Sequence, residues 1–254
     1  MQFCLQLSFG VLLALAFVPK APVGTLFYRV MGTTALVPVL VAIGVPLSTE
    51  TRDWSDPSVL AALCAVVSYP VYSGPVRGRS WGIALGLAIL GTAVAVGLLV
   101  SSAAGDVGVI GVVVASASAL TTGAVAGSVG LAMVLGHWYL TVPKLEVRHL
   151  TRLNRVTIIS MLTSLILIAL VCWMFKDELS VGHRPLFGDT GLFYLGTRLV
   201  VGLFCPLGFA FMTASSLKFK NTRSATGILY ASTVLVLIGT AVSVSLQDSY
   251  GLPL

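Results

Sequence analysis

Long apolar stretches alternate with short polar connections along the whole chain. A helix needs about 20 mostly apolar residues to cross a bilayer, because lipid offers no partner for open backbone N–H and C=O groups. Eight stretches meet this requirement, roughly over residues 3–18, 25–47, 58–74, 81–102, 112–141, 154–175, 191–214 and 225–246, with ends uncertain by about 3 residues. The pattern predicts an all-α polytopic membrane bundle of about eight transmembrane helices, forming a single domain over residues 1–254.

The first and fifth stretches differ from the others. The apolar run from Val107 to Val142 is longer than one crossing requires, so we expect one tilted or extended helix, with a re-entrant segment around 107–114 as the alternative. The first stretch follows a start without Lys or Arg. Because a secretory signal has a basic region there, we expect the first stretch to be retained in the mature protein.

Basic and acidic residues sort to alternate connections between the stretches. The odd-numbered connections hold Lys20, Arg77, Arg79, Lys144, Arg148, Arg152, Arg155, Lys218, Lys220 and Arg223, with Glu146 as their acid. The even-numbered connections and the C-terminal tail hold Glu50, Asp53, Asp56, Asp106, Asp177, Glu178, Asp189 and Asp248, against Arg52, Lys176 and Arg184. Since cytoplasmic loops accumulate Lys and Arg, both termini are predicted on the outer, periplasmic side, with a bacterial cytoplasmic (inner) membrane as the location.

Composition narrows the functional classes. Hydrophobic residues make up 57% of the chain and charged residues 9%, whereas a soluble domain carries about 25% charged residues. This excludes a disordered chain, a disulfide scaffold and a large soluble catalytic domain. The net charge of +6 lies in loops, so nucleic acid is not an expected partner. The four cysteines lack CxxC spacing, and we expect small buried apolar residues there.

Small residues at a spacing of four indicate helix faces that pack against protein rather than lipid. The fifth stretch carries Ala115, Ala119, Gly123 and Gly127 in this register, which predicts that it is the central helix. The fourth carries Gly82 and Gly86, which predicts close packing against a neighbour.

Prolines interrupt two of the stretches. Pro38 and Pro206 each remove a helical hydrogen bond and predict kinks one turn back, near Thr34 and Gly202. Pro70 does the same nearer the surface.

Two arginines lie within predicted spans, where an ionised group costs about 2.5 to 3.5 kcal/mol at a helix centre. Arg198 lies about two turns into the seventh stretch and Arg29 about one turn into the second. Arg198 is a candidate for binding an anionic or carbonyl-bearing ligand or for pairing with Asp189, while the alternative for both arginines is snorkelling to the interface. No Asp or Glu lies deep in a stretch, which argues against a carboxylate-driven cation pathway.

A polar and aromatic cluster, His137, Trp138 and Tyr139, ends the fifth stretch on the predicted inner side. Trp and Tyr are typical headgroup anchors. His137 is then a candidate for hydrogen bonding to a quinone carbonyl and for proton transfer, with a structural hydrogen bond to a neighbouring helix as the alternative. We therefore predict His137, Tyr139 and Arg29, on the inner side, as quinone-binding residues, and Arg198, on the outer side, as a separate candidate for binding a ligand.

Two basic patches flank the last three stretches on the same predicted side. The patches consist of Arg148, His149, Arg152 and Arg155, and of Lys218, Lys220 and Arg223. They are predicted to bind phospholipid headgroups or to dock a partner subunit. Asn221, Thr222 and Ser224 supply capping groups for the eighth helix.

We do not expect a bound metal ion or a haem group. The three histidines, His137, His149 and His183, do not face one another from predicted helices, and no Cys or His pair has zinc-ligand spacing. Nucleotide-binding and common hydrolase motifs are also missing from the sequence. A quinone and phospholipids are the expected ligands.

Three functions fit this architecture. The first is a cofactor-free membrane subunit of a respiratory or other electron-transfer complex, which anchors other membrane or extrinsic subunits and contributes to a quinone pocket. The second is a transporter of a small neutral or anionic solute around Arg198. The third is a structural or assembly subunit with no site of its own.

Overall fold

Ten α-helices and one π-helical segment make up the regular structure of the described residues. The computed structural model describes residues 1–18, 25–49, 53–68, 79–104, 108–142, 145–180 and 185–254, and contains no strand in these ranges. The helices are α1 (Gln2–Ala16), α2 (Thr25–Ser48), α3 (Pro57–Ser68), α4 (Arg79–Ala103), α5 (Gly108–Thr141), α6 (Arg148–Met174), α7 (Lys176–Ser180), α8 (Asp189–Leu199), α9 (Cys205–Lys218) and α10 (Thr222–Tyr250). The π-helical segment Val200–Phe204 joins α8 directly to α9. The all-α prediction is confirmed for these residues.

Within the described residues, six helices are long and apolar enough to cross a membrane. They cover Leu26–Ser48, Ser80–Ala103, Gly108–Thr141, Arg148–Met174, Asp189–Lys218 and Thr222–Tyr250. Two further apolar helices, Gln2–Ala16 and Pro57–Val67, are shorter. A helix therefore occurs in each of the eight predicted stretches, although the end of the third stretch, with Pro70, lies outside the described residues. The six long helices indicate an integral membrane protein.

The fifth predicted stretch forms one helix. α5 runs for 34 residues without interruption, in agreement with the prediction of one extended helix. Its residues from Gly108 onward show no re-entrant break.

α5 packs against α1, α4, α6 and α10 and therefore lies at the centre of the bundle. Its contact with α1 is so close that backbone touches backbone. A Cβ atom added at Gly127 would lie 1.9 Å from the carbonyl carbon of Gly10, and one at Gly123 would lie 2.3 Å from the carbonyl oxygen of Gln6. Glycine at these positions allows the two helices to approach. Ala119 is fully buried on the same helix.

The glycines of α4 lie in two different environments. Gly82 and Gly86 are exposed, and a Cβ atom at either would meet no described atom within 4 Å. Gly91 instead faces α3, where an added Cβ atom would lie 2.7 Å from the carbonyl oxygen of Ala61. The close contact of α4 with α3 therefore involves Gly91.

Prolines lie within two helical spans. Pro38 and Pro46 lie inside α2, and Pro206 lies in the first turn of α9, directly after the π-helical segment. Pro206 cannot donate to the carbonyl of Gly202. The kink predicted near Gly202 is thus a π-helical turn, and it places Gly202 against α10, where an added Cβ atom would lie 2.7 Å from the Cα of Gly239.

The charged side chains separate to opposite ends of the bundle. At one end, here called the basic end, buried Leu15, Phe27, Leu135, Leu150, Leu217 and Leu229 belong to one apolar cluster. The described basic residues of this end are Arg29, Arg148, Arg152, Arg155, Lys218, Lys220 and Arg223. The opposite, acidic end carries Asp53, Asp56, Asp177, Glu178, Asp189 and Asp248 around a second cluster that includes Phe175, Leu186 and Leu246. The exceptions among the described residues are Glu146 at the basic end, Lys176 at the acidic end and Arg198, which is fully buried between the two ends.

Candidate functional sites

His137 forms a hydrogen-bonded pair with Tyr230 at the basic end. The Nδ1 atom of His137, in the last turns of α5, lies 3.2 Å from the hydroxyl oxygen of Tyr230 on α10. Both side chains are exposed on the surface of the bundle. Their rings meet edge to face, with centroids 6.5 Å apart. This pair therefore presents hydrogen-bonding groups at the surface of the bundle.

A close approach of α5 and α10 brings the pair together. Gly136 precedes His137, and a Cβ atom at Gly136 would lie 2.8 Å from the Oγ1 atom of Thr226. Thr226 and Tyr230 are four residues apart and share one face of α10. The glycine at position 136 therefore allows Tyr230 to reach the imidazole.

An aromatic group lies at the same basic end, between α2, α4 and α5. The ring of Trp138 packs edge to face on Phe27 with centroids 5.7 Å apart, and Tyr28 packs on Trp81 with centroids 5.9 Å apart. Rings at this level of a membrane protein anchor it in the headgroup region.

The other predicted ligand-binding residues at this end do not converge on His137. The hydroxyl of Tyr139 donates to the backbone carbonyl of Glu146, and Arg29 is exposed on α2. No hydrogen bond or ring contact joins His137, Tyr139 and Arg29 to one another within the described ranges. The partner of His137, Tyr230, is missing from the sequence-based prediction because the pair is separated by 93 positions.

The first basic patch extends along the beginning of α6. Arg148 forms an exposed ion pair with Glu146. The guanidinium of Arg152 lies 5.6 Å from the ring centroid of Phe17, and Arg155 is exposed. His149 is partly buried.

The second basic patch occupies the turn between α9 and α10. Lys218, Lys220 and Arg223 are all exposed there. Asn221 is the N-cap of α10, and its side chain accepts a hydrogen bond from the backbone N–H of Ser224 over 3.1 Å. This confirms the predicted capping role of Asn221.

Arg198 lies in the interior of the bundle, with a fully buried side chain. Its NH2 nitrogen donates to Thr122 Oγ1 on α5 over 2.9 Å and to Ser164 Oγ on α6 over 3.3 Å. It does not snorkel to the interface, and it forms no ion pair with Asp189. Arg198 therefore links three helices through hydroxyl groups alone.

Metal-ligating groups do not cluster in the described part of the chain. No three His, Cys, Asp or Glu side chains come together there, and His183 falls outside the described residues. Cys4, Cys172 and Cys205 form no disulfide. The expectation that all four are buried is wrong for Cys64 and Cys205, which are exposed on the surface of α3 and at the start of α9, where an apolar solvent such as lipid also accommodates them.

The fold and its apolar helices define a helical integral membrane protein. Comparison with protein-family models, curated proteins and solved structures gives no match to this chain.

Proposed function

We propose that this chain is a cofactor-free membrane subunit of an electron-transfer complex, which binds a quinone at the basic end and anchors partner subunits there. The observation that carries the proposal is the exposed hydrogen bond between His137 and Tyr230. A quinone dissolves in the apolar part of a bilayer and reaches a protein from the side. A hydrogen-bonding pair on the lateral surface, close to one end of the bundle, suits such a ligand.

Tyr230 gives His137 a defined chemical role in this proposal. When the phenol donates to Nδ1, the neutral imidazole carries its proton on Nε2. This N–H can donate to a quinone carbonyl. Reduction of a quinone to a quinol takes up two electrons and two protons. The redox partner supplies both electrons, and both protons come from the aqueous phase at the basic end. One of them passes through the pair, because Nδ1 of His137 takes the hydroxyl proton of Tyr230 as Nε2 releases its proton to the quinone oxygen, and Tyr230 is then reprotonated from water.

The two basic patches support the anchoring part of the proposal. Both patches lie at the same end as His137, and Arg155, Lys218, Lys220 and Arg223 extend exposed side chains there. Cationic groups at a membrane surface attract anionic phospholipid headgroups, by about 1 kcal/mol each. The same patches complement an acidic surface on an extrinsic redox subunit.

The proposal includes eight spans with both termini on the periplasmic side of a bacterial inner membrane. The separation of basic and acidic side chains to opposite ends supports it, because basic loops stay in the cytoplasm. α1 and α3 have 15 and 12 residues, or about 22 and 18 Å at 1.5 Å per residue, which is less than the hydrocarbon core. Their packing on α5 and α4 supports their placement inside the bundle.

The topology predicts opposite labelling of two single-cysteine variants. Lys220→Cys and Lys176→Cys, each in a background without the four native cysteines, introduce thiols at exposed positions of the basic and acidic ends. A membrane-impermeant maleimide should label Lys176→Cys in intact cells and Lys220→Cys only after permeabilisation. The same labelling pattern for both variants would contradict the proposed arrangement.

The quinone site predicts a large effect of His137→Ala. Loss of one hydrogen bond should weaken the binding of decylubiquinone about fivefold, and loss of the proton donor should lower quinone-linked turnover about 100-fold. Tyr230→Phe keeps the ring but removes the hydroxyl and should show a smaller decrease. The turnover is measured on the complex that co-purifies after mild detergent extraction.

Tyr194→Phe is the matched control for this experiment. Tyr194 lies in α8, near the acidic end, and is about as exposed as Tyr230, at 43% against 44%. Binding and turnover in this variant should equal those of the unmodified protein. Unchanged binding and turnover in an intact His137→Ala complex would contradict the proposed quinone site.

A further inference from the structure

The buried guanidinium of Arg198 has more hydrogen-bond donors than the described chain supplies acceptors. A guanidinium carries five N–H groups. The two on NH2 bond to Thr122 and Ser164, whereas Nε and NH1 have no partner. Three N–H groups are therefore unsatisfied in a side chain with 0% exposure.

The charge of Arg198 is also uncompensated within the described ranges. No carboxylate of these residues reaches it, and both groups that accept from it are neutral hydroxyls. A guanidinium remains protonated in proteins, so it cannot lose its charge by releasing a proton. Because an isolated buried charge is strongly unfavourable, an anion at this position would stabilise the folded chain.

Buried serine hydroxyls on α5 and α6, at the level of Arg198, can serve as donors. Thr122 donates to the backbone carbonyl of Ser118 over 3.0 Å and accepts from Arg198. The hydroxyl of Ser118, one turn earlier on the same face of α5, is fully buried and unpartnered. Ser164 accepts from Arg198, which leaves its own O–H free to donate. We propose that Arg198, Ser118 and Ser164 form a binding site for a small monovalent anion.

Close helix packing beside the guanidinium favours a small anion. A Cβ atom at Gly202 would lie 3.3 Å from NH1 of Arg198, and Gly202 itself touches Gly239 of α10. Chloride, nitrate and formate fit the chemistry, whereas gluconate is too large. The site is separate from the quinone site, because Thr122 and His137 are about 22 Å apart along α5 at 1.5 Å per residue.

Thermal unfolding of the purified full chain tests the site. The protein is prepared in a neutral detergent with gluconate as the sole anion and titrated with chloride, nitrate or formate at constant ionic strength. At least one of these anions should raise the Tm saturably, by about 5 to 10 °C at saturation. Arg198→Gln should lose this rise, and His137→Ala should keep it.

Arg155→Gln is the matched control, because Arg155 is exposed at the basic end. It should respond to the anion as the unmodified chain does. If Arg198→Gln does not fold, Ser118→Ala and Ser164→Ala should each weaken the apparent anion affinity several-fold. An equal rise in Arg198→Gln, unchanged affinity in both serine variants, or no saturable rise with any of the three anions would overturn the proposal.

Discussion

Gly127→Ala should destabilise the bundle by about 3 kcal/mol or more, because the new methyl group has no space to occupy. The added Cβ atom would lie 1.9 Å from the carbonyl carbon of Gly10 and 2.2 Å from the backbone nitrogen of Val11. Both are backbone atoms, so a change of side-chain rotamer cannot relieve the overlap. α1 would have to move away from α5 along its whole contact.

Gly130→Ala is the matched control for this substitution. Gly130 lies in the same helix, and an added Cβ atom would meet no described atom within 4 Å. Alanine is the better helix former by about 0.5 to 1 kcal/mol, so this variant should be at least as stable as the unmodified protein. Unfolding by titration with dodecyl sulfate, followed by circular dichroism, measures both. Equal stability of the two variants would contradict the close contact of α1 with α5.

Arg198→Met should stabilise the protein by about 1 to 4 kcal/mol when no small anion is present, because it removes an uncompensated buried charge. Methionine fills a similar length with a flexible apolar chain. Thr122 keeps its hydrogen bond to the carbonyl of Ser118, so this hydroxyl is not left unsatisfied. At a saturating concentration of an anion that binds, the stabilisation by Arg198→Met should disappear, or the variant should become less stable than the unmodified protein.

The unfolding midpoint in gluconate buffer measures this effect, with Arg155→Met as the control. Arg155 is exposed, and its substitution should change the free energy of unfolding by less than about 0.5 kcal/mol. A loss of several kcal/mol in Arg198→Met under anion-free conditions would mean that the charge is already compensated.

The sequence is informative wherever a property follows from neighbouring residues. The length of the apolar runs predicts a helix in each of the eight stretches, and the small residues of the fifth stretch indicate the central helix. Asn221 was recognised as a cap because capping depends on three or four consecutive positions. The sorting of basic and acidic residues to alternate connections corresponds to the basic and acidic ends of the bundle.

Properties that depend on partners distant in the sequence could not be predicted. The spacing of Gly82 and Gly86 matches that of Gly123 and Gly127, yet only the second pair meets a neighbouring backbone. Tyr230 carries no local sign that it faces His137. For Arg198, the position within a helix can be predicted but the direction of the side chain cannot, because packing against α10 sets the rotation of α8.

The π-helical segment keeps the buried residues of the span Asp189–Lys218 on one face of the helix. Buried positions in α8 recur at Gly191, Leu195 and Arg198, and then at steps of four through Gly202, Pro206 and Ala210. Twelve residues from Arg198 to Ala210 exceed three turns of an ideal α-helix by about one residue. The wider turn absorbs this residue. In an uninterrupted α-helix with Ala210 inward, the guanidinium would be rotated by about 100° around the axis, away from Thr122 and Ser164.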